Sequence, residues 1–194
     1  MTKPWLLSSS PFTVADKLRI GWWLLTEDQW TAGKEIDRYE AMWERYTGAK
    51  HAIMVSSGSA ANELMALRRK WELKRDGQWP RRNRVVVPAC TWVSSVTPWL
   101  YSSFEPVFVD VGGNMCSTAE QITSPGQNIN WATEQLAAVF YTSLLGFAGN
   151  IQEIQESCRQ IGVPLYLDNC ESSFTRVPWE EDWSKPWEHD WGGA

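Results

Sequence analysis

Four short apolar runs constrain this chain more than any other feature: RVVVP from Arg84, PVFVDV from Pro106, AAVFY from Ala137 and VPLYL from Val163. None alternates apolar with polar residues. A strand with one wet face alternates, whereas a strand covered on both faces does not. Helical patterns lie between and before these runs. Lys34 to Thr47 places Ile36, Tyr39, Trp43 and Tyr46 three and four apart, and Gly48 ends the pattern. Thr91 to Tyr101 reads as a helix that Pro98 bends or shortens. Ile151 to about Ile161 reads as another. A fifth apolar run, HAIMV from His51 to Val55, is expected to be a strand that turns through SSGS into a helix from Ala60 to about Leu73. Leu64, Leu67 and Trp71 line one side of that helix. Strands alternating with helices predict an α/β chain in three layers, a mostly parallel sheet with helices on both faces.

The 194 residues, 43% hydrophobic and 21% charged, suffice for one full core. The formal charge of −5 argues against nucleic acid as a partner, because phosphate binding needs a basic footprint. The one basic cluster, between Arg68 and Arg84, reads as a solvated helix end and loop. Cys90, Cys116, Cys158 and Cys170 lie far apart with no C-x-x-C pair, so reduced thiols are expected and no metal site. His51 and His189 are too distant to form a histidine-based metal site or a nucleophile–base pair. No apolar run is long enough to cross a bilayer and no signal sequence is read, so the expected location is cytoplasmic, without membrane contact.

In a parallel sheet, ligands bind beyond the carboxyl ends of the strands. Polar residues gather in this sequence after the runs: SSGS, PACTW, YTSLLG and DNCES. Gly58 permits a tight backbone, and Ser59 is placed to cap the next helix while the amides at the helix start face an anion. On these residues alone a plain cap serves as well. Trp92 offers an aromatic face on the same rim, or packing. Asp168 puts a carboxylate at the end of a buried strand, which is costly without a partner.

From Trp30 to Phe174 these blocks, in this order, resemble the DegT/DnrJ/EryC1/StrS family of pyridoxal-phosphate-dependent sugar aminotransferases. The match takes in WTAGKEIDRYEAMWERYTGAKHAIMVSSGSAANELMAL, VVVPACTWVSSVTPWLYSSFEPVFVDV and the stretch from AAVFY to DNCESS. The resemblance implies a truncated form of the large domain of fold-type I transferases. It implies pyridoxal or pyridoxamine 5'-phosphate as cofactor, held by Gly58, Ser59 and Ala60 at its phosphate, by Trp92 on its ring and by Asp168 at its ring nitrogen, with Glu171 near the ring oxygen. A nucleotide-linked keto-sugar is the implied substrate and a homodimer the implied assembly. Glu171 stands where these aminotransferases usually carry Gln or His, and DNCES is similar to the branch that uses pyridoxamine phosphate and an iron–sulfur cluster to dehydrate sugars at C3. Amination, C3 dehydration and a non-catalytic binding or assembly module are therefore the three functional readings.

Family members are about twice as long, and their cofactor-bonding lysine lies some way beyond the aspartate. Lys185, in WSKPWE, lacks that context, so the catalytic lysine is unassigned and the chain is expected to be a fragment, a truncation or half of a split enzyme whose partner is the missing C-terminal half. The expected division is an N-terminal arm and helix over residues 1–29, a cofactor-binding portion over 30–177 and a tail over 178–194. In the tail PWEEDW recurs as PWEHDW, spacing Trp179, Trp183, Trp187 and Trp191 four apart.

Overall fold

Local signals set the first two helices. The structure is a computed structural model that describes residues 12–113, 115–123, 133–173 and 175. The Trp-rich repeat and Lys185 lie outside the described residues. The chain divides into two units, Met1–Met54 and Val55–Ala194.

In the first unit, α1 (Val14–Thr26) starts at Thr13, whose hydroxyl accepts from the Asp16 amide while the Asp16 carboxylate accepts from the Thr13 amide. α2 (Lys34–Thr47) ends at Gly48, whose φ of 71° is the left-handed turn that glycine adopts without penalty. Tyr39 stacks on Trp43 at 6.2 Å, and Trp43 meets Tyr46 at 5.7 Å, so the stripe read from spacing is real.

The strand expected at His51–Val55 does not form. A strand exists through its ladder, and among the described residues none pairs with this segment. Its alternate amides find carboxylates instead: Ala52 N donates to Glu44 Oε1 at 3.0 Å and Met54 N to Glu40 Oε1 at 2.7 Å.

The second unit is built on β1 (Arg84–Pro88), β2 (Glu105–Val109), β3 (Leu136–Thr142) and β4 (Leu165–Asp168). All pairings are parallel and the spatial order is β2-β1-β3-β4. Between the strands run α3 (Gly58–Arg75), α4 (Val93–Tyr101), α5 (Ala119–Thr123) and α6 (Ile151–Gln160). In β1 and β3 the absence of alternation has the predicted cause, since helices cover both faces; in the edge strand β2 only Val107 and Val109 are buried and Phe108 is exposed, against the expectation. Val86, Val139 and Tyr141 pack with Ile122, Ile154 and Cys158 on one face, while Val85, Val87, Ala138 and Phe140 pack with Ala66, Leu73 and Trp99 on the other. Trp99 is fully buried there and touches Phe104, Phe140 and Tyr166 edge-on at 5.2, 5.7 and 5.6 Å.

Helix α3 turns differently from the expectation. Leu64, Leu67 and Trp71 are exposed, and the buried side carries Asn62, Ala66 and Leu73. Two polar attachments decide the rotation: Arg69 Nε donates to the Ala137 carbonyl at 2.8 Å, and Asn62 reaches into the strand ends. Hydrophobic spacing alone does not register either.

Candidate functional site

β4 delivers Asp168 as its last residue, where the Asp168 carbonyl still accepts the Ser143 amide at 3.1 Å. The side chain is buried, and three elements converge on it. Asn62 Nδ2, from α3, donates to Oδ2 at 2.9 Å. Ser95 Oγ, from α4, donates to the same oxygen at 3.1 Å. The Cys170 amide, from the loop after β4, donates to Oδ1 at 3.1 Å. Burial alone would raise this carboxyl's pKa, but the Cys170 thiol, the Asn62 amide, the Cys170 amide and the Ser95 hydroxyl outweigh it and hold the group below the usual carboxylate range. Among the described residues no ion pair reaches it. The result is a buried anion held by neutral donors, open to a cationic partner.

Around it the rim residues fall as follows. Gly58 is the first residue of α3, and a Cβ there would stand 2.7 Å from Cys170 Sγ, so the glycine lets the loop after β4 lie against the helix start. The cap is Ser57, not Ser59: Ser57 Oγ accepts the Ala60 amide at 3.2 Å. Extended backbone at Ser57 moves the helix start two residues ahead of the expected one, leaving Ser59 exposed in the first turn. Trp92 precedes α4 and is 66% exposed, free of the packing that occupies Trp99. Thr91 and Thr142 share a hydroxyl hydrogen bond of 2.7 Å, tying the loop after β1 to the end of β3.

Glu171 faces the loop after β3. Its Oε2 accepts the Leu145 amide at 2.7 Å, and two neighbours repeat the tie: Ser172 Oγ donates to the Ser143 carbonyl at 3.1 Å and Thr175 Oγ1 to the Gly146 carbonyl at 2.8 Å. The two loops are thus stitched together beside Asp168.

Sequence reasoning missed Asn62, Ser95 and Ser57. A signal for Asn62 was present, because it is a polar residue three positions after Ser59 on the same helix; Ser95 follows Trp92 by three residues, but Trp92 stands before α4, so helical spacing does not relate them. Among the described residues no group of three or more His, Cys, Asp or Glu side chains is placed to hold a metal ion. No described helix is long and apolar enough to cross a membrane.

The chain is 30% identical over 153 residues to GDP-4-keto-6-deoxy-D-mannose 3-dehydratase of Escherichia coli O55:H7, covering 77% of this chain and 37% of that protein. It is 30% identical over 145 residues to GDP-perosamine synthase of Vibrio cholerae, covering 75% and 36%. The solved structure of the E. coli dehydratase with bound hydrated PLP superposes with a TM-score of 0.70 at 26% identity, over 86% of this chain and 41% of that one. The chain therefore spans about two-fifths of the length of these relatives. Residues 16–177 match the family as a whole, and the chain belongs to the DegT/DnrJ/EryC1/StrS aminotransferase family.

Proposed function

We propose that this chain is the cofactor-binding portion of a pyridoxal- or pyridoxamine-phosphate-dependent aminotransferase acting on a nucleotide-linked keto-sugar. One observation carries the reading: a buried carboxylate at the end of a parallel strand, ringed by neutral donors and without an ion pair among the described residues. The carboxylate, an acceptor with a negative charge, fits a pyridinium N–H. When bound, the cofactor supplies a ring that draws negative charge away from a substrate carbon. Asp168 keeps the proton at the ring nitrogen, because its anion favours the charged form of that nitrogen. Gly58, Ser59 and the first-turn amides of α3 would hold the phosphate, helped by the helix dipole, with the Ala60 amide, which donates to Ser57 Oγ, turning to share its proton. Trp92, whose ring is exposed, would offer its face to the cofactor ring. No residue of the chain is assigned the covalent lysine's role.

A second reading, pyridoxamine-phosphate-dependent dehydration at C3, is favoured by Glu171, a carboxylate already oriented by the Leu145 amide where a neutral or cationic side chain would suit a ring oxygen's negative charge. Self-association as a homodimer belongs to the same proposal. It is supported by Val14, Leu18 and Leu25, exposed along one side of α1, and separately by the exposed Leu64, Leu67 and Trp71 of α3. Light scattering that finds a monomer at all concentrations would refute it.

The cofactor reading is tested by titrating the full chain with pyridoxamine phosphate. Asp168→Asn is expected to weaken binding by about 1–3 kcal/mol, roughly a factor of 5 to 150. Equal affinity in the variant would remove the ring-nitrogen assignment.

A further inference from the structure

Helix α4 contains a proline, and its consequence reaches Asp168. In an uninterrupted helix the amide of residue 98 would donate to the Ser94 carbonyl; Pro98 has no N–H, so that carbonyl is left open. Asn62 Nδ2 fills the gap at 3.1 Å and makes its second donation to Asp168 Oδ2 at 2.9 Å. Both partners are acceptors, which fixes the amide's nitrogen, not its oxygen, toward them. Ser95, one residue past the freed carbonyl, donates to the same carboxylate oxygen. Asn62 is 2% exposed and Ser95 fully buried, so water does not substitute for either. Oδ2 takes both of these donations and Oδ1 the Cys170 amide, while the Cys170 thiol also donates to the carboxylate.

We propose that Asn62, Ser95 and Pro98 form a clamp of positioning residues that fixes the rotation of the Asp168 carboxylate for the incoming ring nitrogen. The inference rests on the cofactor reading given above. The clamp also works as a ruler. Ser59 and Asn62 lie three apart on α3, so the phosphate contact sits at a fixed helical distance from one donor to Asp168, and Trp92 immediately precedes α4, which carries the other donor, Ser95. A shift of either helix would move a cofactor contact and the carboxylate together. The titratable groups beside the carboxylate are the Cys170 thiol and, next along the chain, Glu171; α3 and α4 present only the neutral Asn62 and Ser95 to it.

The test uses the full 194-residue chain with Asn62→Ala, Ser95→Ala, Ser95→Thr and Pro98→Ala. Two quantities are read: the carbon-13 titration of the Asp168 carboxyl without cofactor, and the affinity for pyridoxamine phosphate. Asn62→Ala and Ser95→Ala are expected to move the titration upward and to weaken binding by roughly tenfold or more each, as for a lost hydrogen bond to a charged group. Ser95→Thr keeps the hydroxyl and is expected to keep both. Pro98→Ala restores an N–H that competes for the Ser94 carbonyl, so it moves the titration in the same direction by less. Should Asn62→Ala fail to fold by circular dichroism, the Ser95 pair decides. Variants that lower the unfolding midpoint while leaving the Asp168 titration unchanged would overturn the clamp. A titration that moves as expected in a wild-type chain that binds no pyridoxamine phosphate keeps the clamp and discards the cofactor reading.

Discussion

Cys170 is an exposed thiol that behaves as if it were hidden. Burial of its sulfur, its hydrogen bond to Asp168 and the charges of Asp168 and Glu171 push its pKa up to about 11. Alkylation by iodoacetamide at pH 8 is therefore expected to be slower at Cys170 than in the urea-unfolded chain, and to accelerate as the pH climbs toward 11. Asp168→Asn removes the main charged partner and should speed labelling at pH 8; peptide mass spectrometry reads both, and fast labelling of the native wild type would contradict the geometry. Gly58 makes the reciprocal prediction. A methyl group at this position would stand 2.7 Å from Cys170 Sγ, so Gly58→Ala is expected to destabilise the chain by about 1–3 kcal/mol, as overpacking does. Adding Cys170→Ala should recover most of that loss, and an additive double variant would show that the two residues do not meet.

At the scale of elements, α3 separates what spacing suggests from what packing selects. Its apolar residues fall on two sides, and the sheet takes the side with Ala66 and Leu73 because Arg69 and Asn62 have acceptors there. Leu73 is 1% exposed and Leu67 48%. Leu73→Ala is expected to cost about 2–5 kcal/mol and Leu67→Ala to stay within about 0.5 kcal/mol, measured by urea unfolding. Equal costs would mean that α3 is rotated from the orientation described. The segment 51–55 teaches the same lesson in reverse. Its composition suits a strand, but a strand is a property of two partners, and the carboxylates of Glu40 and Glu44 take two of its amides.

Over the second unit as a whole, the apolar layers on both sides of the sheet set the response to alkali. Burial pushes Cys158 up to about 12, and burial, followed by the negative charge of Glu72, pushes Tyr166 up to about 12. Each group is neutral in the folded state at a pH where the unfolded chain has released the proton. The unfolded state then binds fewer protons, so stability falls as pH rises. The contribution of Cys158 is complete below its ordinary value near 9 and is lost between there and about 12. Between pH 8 and 10 the urea midpoint should fall by the equivalent of about 1 kcal/mol for this one group. Cys158→Ala should be less stable at pH 8 but lose less on going to pH 10; an unchanged slope would place the alkaline sensitivity elsewhere.

The sequence alone determined the layered α/β class, because apolar runs alternating with helical patterns imply a covered parallel sheet, and it located four strands and α2 nearly to the residue, though not that β2 leaves Phe108 exposed. It also pointed to polar residues beyond the strand ends: Asp168 does end β4, Trp92 lies between β1 and α4, and Gly58, whose expected strand does not form, opens α3 against the loop after β4. What only the tertiary structure decided is how those residues are held. Ser57 rather than Ser59 became the cap, since backbone geometry chose among three nearly adjacent serines. Asn62 and Ser95 joined Asp168 from 106 and 73 residues away, through hydrogen bonds that no periodicity encodes. Hydrophobic pattern is a local, additive signal and survives in the sequence. A buried hydrogen bond is a pairwise match between distant residues, and it exists only once the helices have docked.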